Sequence, residues 1–175
     1  MIMREIRPDP DYSNDLPIYD FLNQGISGAD SAKKKVIAAY LAQEGIEFFR
    51  NIRDTEMLYQ SDKNQAWINF ETKLQAGKCD TTSGCYFDDS NLFGLTDITY
   101  LSINPCDSNG CPALLYDQSD SCYGYSTGVD SGFSRKMSFQ TISANEIKII
   151  SQVTWKQGIS TGTVSFSENL DSWIE

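Results

Sequence analysis

One long segment near the start of the chain constrains the fold more than any other, because its composition and periodicity both favour a helix. Residues 29–54 contain no proline, a single glycine and many Ala, Lys, Glu and Gln residues, which are good helix formers. Asp30 or Ser31 can cap the first turn. At the helical spacing of about 100° per residue, four apolar side chains of the segment fall within one narrow arc, with Tyr40 at its edge. They are Ile37, Leu41, Phe48 and Ile52. The segment is therefore predicted to be a long amphipathic helix.

Two polar features lie on this predicted helix. Glu44 projects into the middle of the apolar arc, where a carboxylate has to be paired or hydrogen-bonded. We interpret it as a structural pairing or a subunit contact rather than as a catalytic acid. Lys33, Lys34 and Lys35 lie near the helix start, where positive charge opposes the helix dipole. They are interpreted as a solvated face, with contact to an acidic partner or a lipid surface as the alternative.

The end of the chain has a different periodicity. Between residues 133 and 170, apolar residues recur at every second position in three stretches separated by short turns. Arg135 interrupts the apolar face of the first stretch. Strands with one apolar face predict an antiparallel meander that is buried on one side. A long helix followed by such a sheet predicts an α+β fold in which the apolar arc of the helix covers the sheet. The alternating residues are Phe133, Met137, Phe139, Ile147, Ile149, Val153, Trp155, Val164 and Phe166.

The remaining segments give the domain organisation. Residues 1–28 are polar and broken by prolines and glycines, so we expect a loosely ordered lead-in before a single head domain over residues 29–175. A short helix or turn around Trp67 is expected to bury that indole. Residues 79–132 are predicted to be a loop region that carries short strands. The expected strands are 98–103, 113–116 and 122–125.

The five cysteines all fall within one quarter of the chain. Two pairs, Cys79 with Cys85 and Cys106 with Cys111, each enclose a short run of turn-forming residues that a disulfide could close. The alternatives are a zinc site built from four thiolates, whose usual shorter spacings do not fit, or unpaired thiols. We favour disulfides with Cys122 left over, and therefore expect an oxidising location outside the cytoplasm.

Charge and composition exclude several functions. The net charge of −10 disfavours nucleic acids and anionic membrane surfaces as partners. The chain contains no histidine, so it cannot build a Ser-His-Asp or Cys-His nucleophile or a histidine-containing zinc site. No phosphate-binding glycine motif occurs. Membrane-span and secretory-signal patterns do not occur in the sequence either. We therefore expect a protein without catalytic residues, and a hydrolase that uses paired carboxylates is kept as the least favoured alternative.

The acidic loop region suggests two kinds of binding site. Residues 79–134 contain no Lys or Arg, and calcium prefers the oxygen ligands that the Asp and Asn residues there provide. The calcium candidates are Asp88, Asp89, Asp107 and Asn109. Ordinary turns stabilised by Asp and Asn side chains explain the same residues, and we favour that interpretation, so no cofactor is expected. The tyrosines of the region, Tyr86, Tyr116, Tyr123 and Tyr125, could instead contact a glycan or a protein.

The helix sequence resembles that of a known family. The run from Ala38 to Asp54, AAYLAQEGIEFFRNIRD, is similar to the segment that follows the membrane-spanning half of the helix in bacterial type IV pilin-like (prepilin-type or pseudopilin) proteins. The order of features downstream is also similar: Trp67, a loop closed by cysteines, an acidic region, and Phe133 to Lys136 leading into the last strands. The resemblance covers residues 29–175.

The resemblance implies a structural role. In that family the N-terminal helix is half membrane anchor and half spine of the head domain, and subunits pack through their helices into a surface filament. The chain would then be a subunit or minor component of a pilus or pseudopilus, contacting other pilin-like subunits through its helix. The expected assembly and packing residues of the helix are Ile37, Leu41, Glu44, Phe48 and Ile52. We expect membrane attachment only through an anchor that this chain lacks. An extracellular adhesin that binds through its Cys- and Tyr-rich loops is the alternative.

Overall fold

The computed structural model describes residues 16–88 and 102–172. Within these residues two helices are followed by seven strands, so the predicted α+β class is confirmed. The helices are α1 (Leu16–Tyr59) and α2 (Lys63–Ala76). The strands are β1 (Cys85–Phe87), β2 (Ile103–Pro105), β3 (Ala113–Asp117), β4 (Cys122–Gly124), β5 (Val129–Ser143), β6 (Glu146–Gln157) and β7 (Ser160–Asp171).

Helix α1 extends beyond the predicted bounds of residues 29–54 at both ends. Residues 16–28, predicted to be part of a loosely ordered lead-in, are helical. Pro17 lies in the first turn, where a helix makes no use of the missing N–H. Gly25 and Gly28 each cost about 1 kcal/mol relative to alanine, which weakens a helix without ending it. The chain forms two compact units that divide after Lys34, and the second unit contains the sheet.

The predicted meander forms the centre of one antiparallel sheet. Strand β6 pairs with β5 on one side and with β7 along its full length on the other. The other edge of β5 pairs with β3 and, at Met137, with β1, and the short strands β2 and β4 extend these pairings outward. The sheet is therefore larger than three strands. The region predicted as loops contributes four of its seven strands.

Alternate residues of β5 and β6 point into the core, as the period-two pattern predicts. On β6 every second residue from Ile147 to Trp155 is buried. The apolar arc of α1 supplies the opposite wall, because Leu41, Phe48 and Ile52 are all buried. Gly45 lies at the closest approach, where an added Cβ would come within 2.6 Å of the Ser151 hydroxyl. The glycine inside this helix therefore lets it pack directly against the sheet.

Helix α2 closes one end of the core. Asp62 caps it by accepting hydrogen bonds from the backbone N–H groups of Asn64 and Gln65. Trp67 is buried as predicted, and its indole N–H donates to the Ala144 carbonyl at 3.0 Å, which fixes α2 to the turn between β5 and β6. One predicted strand, 98–103, falls mostly outside the described residues, and β2 begins where it was expected to end.

Candidate functional site

A groove of about 430 Å³ lies between helix α1 and the beginning of strand β4. We call it the α1–β4 groove. Its lining is mainly apolar and aromatic, with one carboxylate and one thiol at its edge. Tyr40 is its most prominent member, with 71% of its surface exposed. The lining residues are Ile37, Tyr40, Leu41, Glu44, Ser121, Cys122 and Tyr123.

The sequence explains why a groove forms at this place. Leu41 points into a core cluster that also contains Leu114, Phe133 and Trp155, so it forms the floor. Tyr40 precedes Leu41 by one position, about 100° around the helix, and therefore faces outward. Strand β4 is short and pairs with β3 alone among the described strands, so its first residue, Cys122, stays exposed at the edge.

Glu44 joins the groove to a buried cation. One of its carboxylate oxygens accepts a hydrogen bond from the Arg135 guanidinium at 2.6 Å. The Arg135 side chain is 1% exposed, whereas that of Glu44 is 45% exposed. The same Arg135 nitrogen donates to the Leu41 carbonyl at 3.2 Å, and the guanidinium carbon lies 4.1 Å from the centre of the Phe87 ring. Glu44 therefore makes a structural pairing, while part of its carboxylate still faces solvent.

The predicted packing residues of α1 do not form one common surface. Leu41, Phe48 and Ile52 are buried against the chain's own sheet, so they cannot also contact another subunit. Ile37 is half-buried, and both Ile37 and Glu44 border the groove. Any contact that α1 makes with a partner has to use its outward face. In the unit that contains the sheet, the exposed apolar residues of α1 are Val36, Tyr40, Leu58 and Tyr59.

The cysteines form the predicted disulfides. Cys79 bonds to Cys85, and both are fully buried in the main core; we call this the first disulfide loop. Cys106 bonds to Cys111 to form the second disulfide loop, nearer the surface. Cys122 is free and exposed. The zinc alternative is excluded for the four paired residues, because their sulfurs are bonded to one another.

A second, shallower cleft of about 300 Å³ lies beside the second disulfide loop. Its lining includes Tyr86, Asp107 and Asn109, together with two prolines. The Asp107 carboxylate accepts a hydrogen bond from the Asn109 N–H at 2.7 Å, which makes an ordinary Asp-stabilised turn. The predicted aromatic residues contact one another in two pairs. Tyr86 lies 4.9 Å from Tyr125, and Tyr116 lies 5.0 Å from Tyr123, between ring centres.

The calcium candidates are only partly brought together. Asp107 and Asn109 share one turn, and Asp88 is half-buried after strand β1. Asp89 lies outside the described residues. Within residues 16–88 and 102–172, no cluster of three or more Cys, Asp or Glu side chains is arranged to hold a metal ion.

Two titratable groups, one on strand β3 and one on strand β4, have shifted pKa values. The hydrogen bond from the Ser119 hydroxyl, helped by the Ser119 N–H and the Thr127 hydroxyl, lowers the pKa of Asp117. Burial, together with the neighbouring Tyr116, raises the pKa of Tyr123. Asp117 therefore stays ionised at neutral pH, and Tyr123, which lines the groove, stays protonated.

Comparison with known proteins adds no identification: no family model, no curated protein and no solved structure matches the chain. The fold and the site therefore have to be interpreted from their own residues. Neither helix in the described part of the chain has a stretch that is both long and apolar enough to cross a membrane. The two disulfides are typical of proteins that reside in an oxidising environment outside the cytoplasm.

Two features of the site are not evident from the local sequence pattern. Arg135 interrupts an apolar face of its strand, yet its charge complements that of Glu44 in the apolar arc of the helix. Two opposite charges, each on the buried face of its own element, are a signal that could have paired them. The groove itself could not be found this way, because it depends on how strand β4 ends beside α1.

Proposed function

We propose that the chain is a non-catalytic assembly subunit, the head of a pilin-like protein that acts outside the cytoplasm. The arrangement of a long N-terminal helix against an antiparallel meander, with disulfide-closed loops between them, supports this proposal most directly. The resemblance of residues 38–54 to pilin-like helices supports it independently. The role of such a head is to present outward surfaces while its helix contacts neighbouring subunits.

The chemistry of the described residues is consistent with a structural role. Two of the charged contacts join distant elements of the fold. Glu44 binds Arg135 across the helix–sheet junction, and Arg50 binds Glu168 on strand β7 at 2.5 Å. Both carboxylates are engaged by cations, and these ion pairs hold helix α1 to the sheet.

A second candidate function rests on the cleft beside the second disulfide loop. Tyr86, Asp107 and Asn109 offer an aromatic face and polar groups within one concave surface, a combination that suits a sugar ring. In this alternative the chain is an adhesin or binding module. A glycan array probed with the oxidised protein and with a Tyr86→Ala variant tests it. Binding that Tyr86→Ala abolishes would favour the adhesin, whereas an array without signal would exclude it for the glycans present.

Locating the chain in its source cells tests the assembly role. Antibodies raised against residues 35–172 would be applied to sheared surface material, envelope and cytoplasmic fractions, followed by immunogold electron microscopy. We expect signal in the surface or envelope fractions, on filaments or at assembly sites. A non-reducing gel of the same fractions checks that the two disulfides are formed in the cell.

Two outcomes of this experiment would contradict the proposal. A chain found only in the cytoplasmic fraction, with its cysteines reduced, would refute both the proposed location and the assembly role. A chain found outside the cytoplasm but in no complex or filament would leave the location standing and refute the assembly role.

A further inference from the structure

The α1–β4 groove has the character of a contact surface. Tyr40 projects from the middle of α1 and is mostly exposed, and Ile37 beside it is only half-buried. Glu44 closes one side of the groove with a carboxylate that Arg135 neutralises only in part, since nearly half of the Glu44 side chain faces solvent. The groove therefore offers an apolar surface bordered by an anion, which suits an apolar residue followed by a cation.

The chain itself contains a matching segment. Lys33 is exposed, lies one helical turn before Ile37, and has no ion-pair partner among the described residues. Its neighbour Lys34 differs, because it pairs with Asp30 at 2.9 Å. On a protein with a net charge of −10, an unpaired exposed lysine beside apolar residues complements the anionic edge of the groove.

The spacing of these residues is symmetric. Lys33, Ile37, Tyr40 and Glu44 follow one another at intervals of four, three and four residues, the spacing of a helix–helix contact. When two such helices run antiparallel, Lys33 of each copy lies opposite Glu44 of the other, and Ile37 lies opposite Tyr40. Both ends then make the same contact, as a two-fold interface requires.

We propose that the α1–β4 groove binds a second copy of this chain through a two-fold, antiparallel contact between the two α1 helices. Tyr40 of each copy packs against Ile37 of the other, and Lys33 of each copy binds the exposed part of the Glu44 carboxylate. The inference deepens the proposed assembly role by naming a partner and a contact. The pair is expected to be weak, with a dissociation constant in the micromolar range.

Cys122 provides a built-in reporter for this contact. Its thiol lines the same groove and is exposed in the single chain. A second copy in the groove would cover it, so its reaction with a maleimide is expected to slow as the dimer forms. The rate should fall by half when half of the chains are paired, because only the unpaired chains react.

The test uses the full chain with its disulfides formed and measures mass by sedimentation over a hundredfold range of concentration. The wild-type chain is expected to pass from monomer to dimer, and the dimer should weaken as salt is raised. Lys33→Glu places two carboxylates together at both symmetric contacts, so we expect its dissociation constant to rise about tenfold. Tyr40→Gln removes the central apolar contact and should weaken the dimer at least as much.

Matched controls separate this contact from general effects. Lys35→Glu makes the same change of charge two residues away, about 200° around the helix, and should leave the dimer unchanged. Leu58→Gln removes another exposed apolar side chain of α1 and should also have no effect. Circular dichroism and the two disulfides, checked by mass spectrometry, show whether each variant is folded. None of the four changes removes a buried side chain, so folded variants are expected.

Several results would overturn the proposal. A wild-type chain that stays monomeric over the whole range, with constant Cys122 reactivity, would exclude it. Lys35→Glu as damaging as Lys33→Glu would show that only net charge matters. A monomer that binds anionic phospholipid vesicles through Lys33 would assign the segment to a lipid surface instead. The cell-fractionation experiment above is independent, because a dimer in solution and a place in a surface assembly can each fail alone.

Discussion

Removing Glu44 is expected to destabilise the fold far more than removing its partner Arg135. Breaking a buried ion pair from one side costs about 3–5 kcal/mol, because it leaves the other charge buried and unpaired. Arg135 is buried, but Glu44 is half-exposed and part of its interaction is screened, so we lower the figure for Glu44→Ala to about 2–3 kcal/mol. In Arg135→Met the buried stem is kept and the remaining carboxylate can hydrate, so the loss should be about 1 kcal/mol.

The double variant tests the reasoning. Glu44→Ala combined with Arg135→Met removes both charges, so no buried cation is left unpaired, and it should be more stable than Glu44→Ala alone. Urea unfolding of the oxidised proteins, followed by circular dichroism at constant pH, gives the three free energies of unfolding. If the effects of the two single variants simply add, or if Arg135→Met is the more damaging, then the pair does not act through the buried charge and the argument is wrong.

Three further perturbations test other parts of the structure. Gly162→Ala would place a Cβ 2.2 Å from the buried Trp155 ring and should lower the free energy of unfolding in urea by about 2 kcal/mol. Gly124→Ala, whose Cβ meets no atom within 4 Å, should be nearly neutral, and equal effects of the two changes would contradict the packing around Trp155. Replacing both cysteines of the first disulfide loop by alanine should lower the free energy of unfolding by about 2 kcal/mol from loop entropy alone. The loss should exceed that of the same change in the second loop, because the first disulfide is buried in the main core, and a larger loss for the second loop in urea unfolding would contradict this placement. Because the pKa of Asp117 is lowered in the folded chain, its stabilising contribution is present above its ordinary pKa and is lost as the pH falls through the lower folded value. In a carboxylate titration by NMR, Ser119→Ala should move the titration midpoint of Asp117 upward, and an unchanged midpoint would exclude the Ser119 hydroxyl as the cause.

The sequence predicted those parts of the fold in which one periodicity persists over many residues. The apolar arc of Leu41, Phe48 and Ile52 and the period-two strands after residue 133 both repeat often enough to identify their elements and the buried face of each. The disulfide pairing was predictable because each pair closes a short loop of turn-forming residues. The start of α1 was not, since Pro17 and two glycines suggest irregular structure although helices tolerate them.

Long-range pairing limited the prediction of the sheet. Strands β1 and β2 have only three residues each, too few for a periodicity. They form because β1 pairs with the edge of β5 and β2 then pairs with β1. A local pattern cannot reveal such an edge. The same holds for Arg135, whose burial depends on meeting Glu44, 91 residues away in the sequence. When the contact with Glu44 is not known, a charged residue in an apolar strand only weakens the strand prediction and does not indicate an ion pair.

The α1–β4 groove shows how sequence pattern and three-dimensional structure combine. The sequence marked its parts separately: an exposed lysine near the helix start, a carboxylate in an apolar arc, and a fifth cysteine without a partner. The structure places the carboxylate and the cysteine at one groove and leaves Tyr40 exposed between them. Burial of Leu41, Phe48 and Ile52 in the chain's own core then excludes the apolar arc as a surface for other subunits. If α1 mediates assembly, the contact therefore has to be made by its outward face, and the groove beside Tyr40 is where that face is both apolar and charge-complementary to the chain itself.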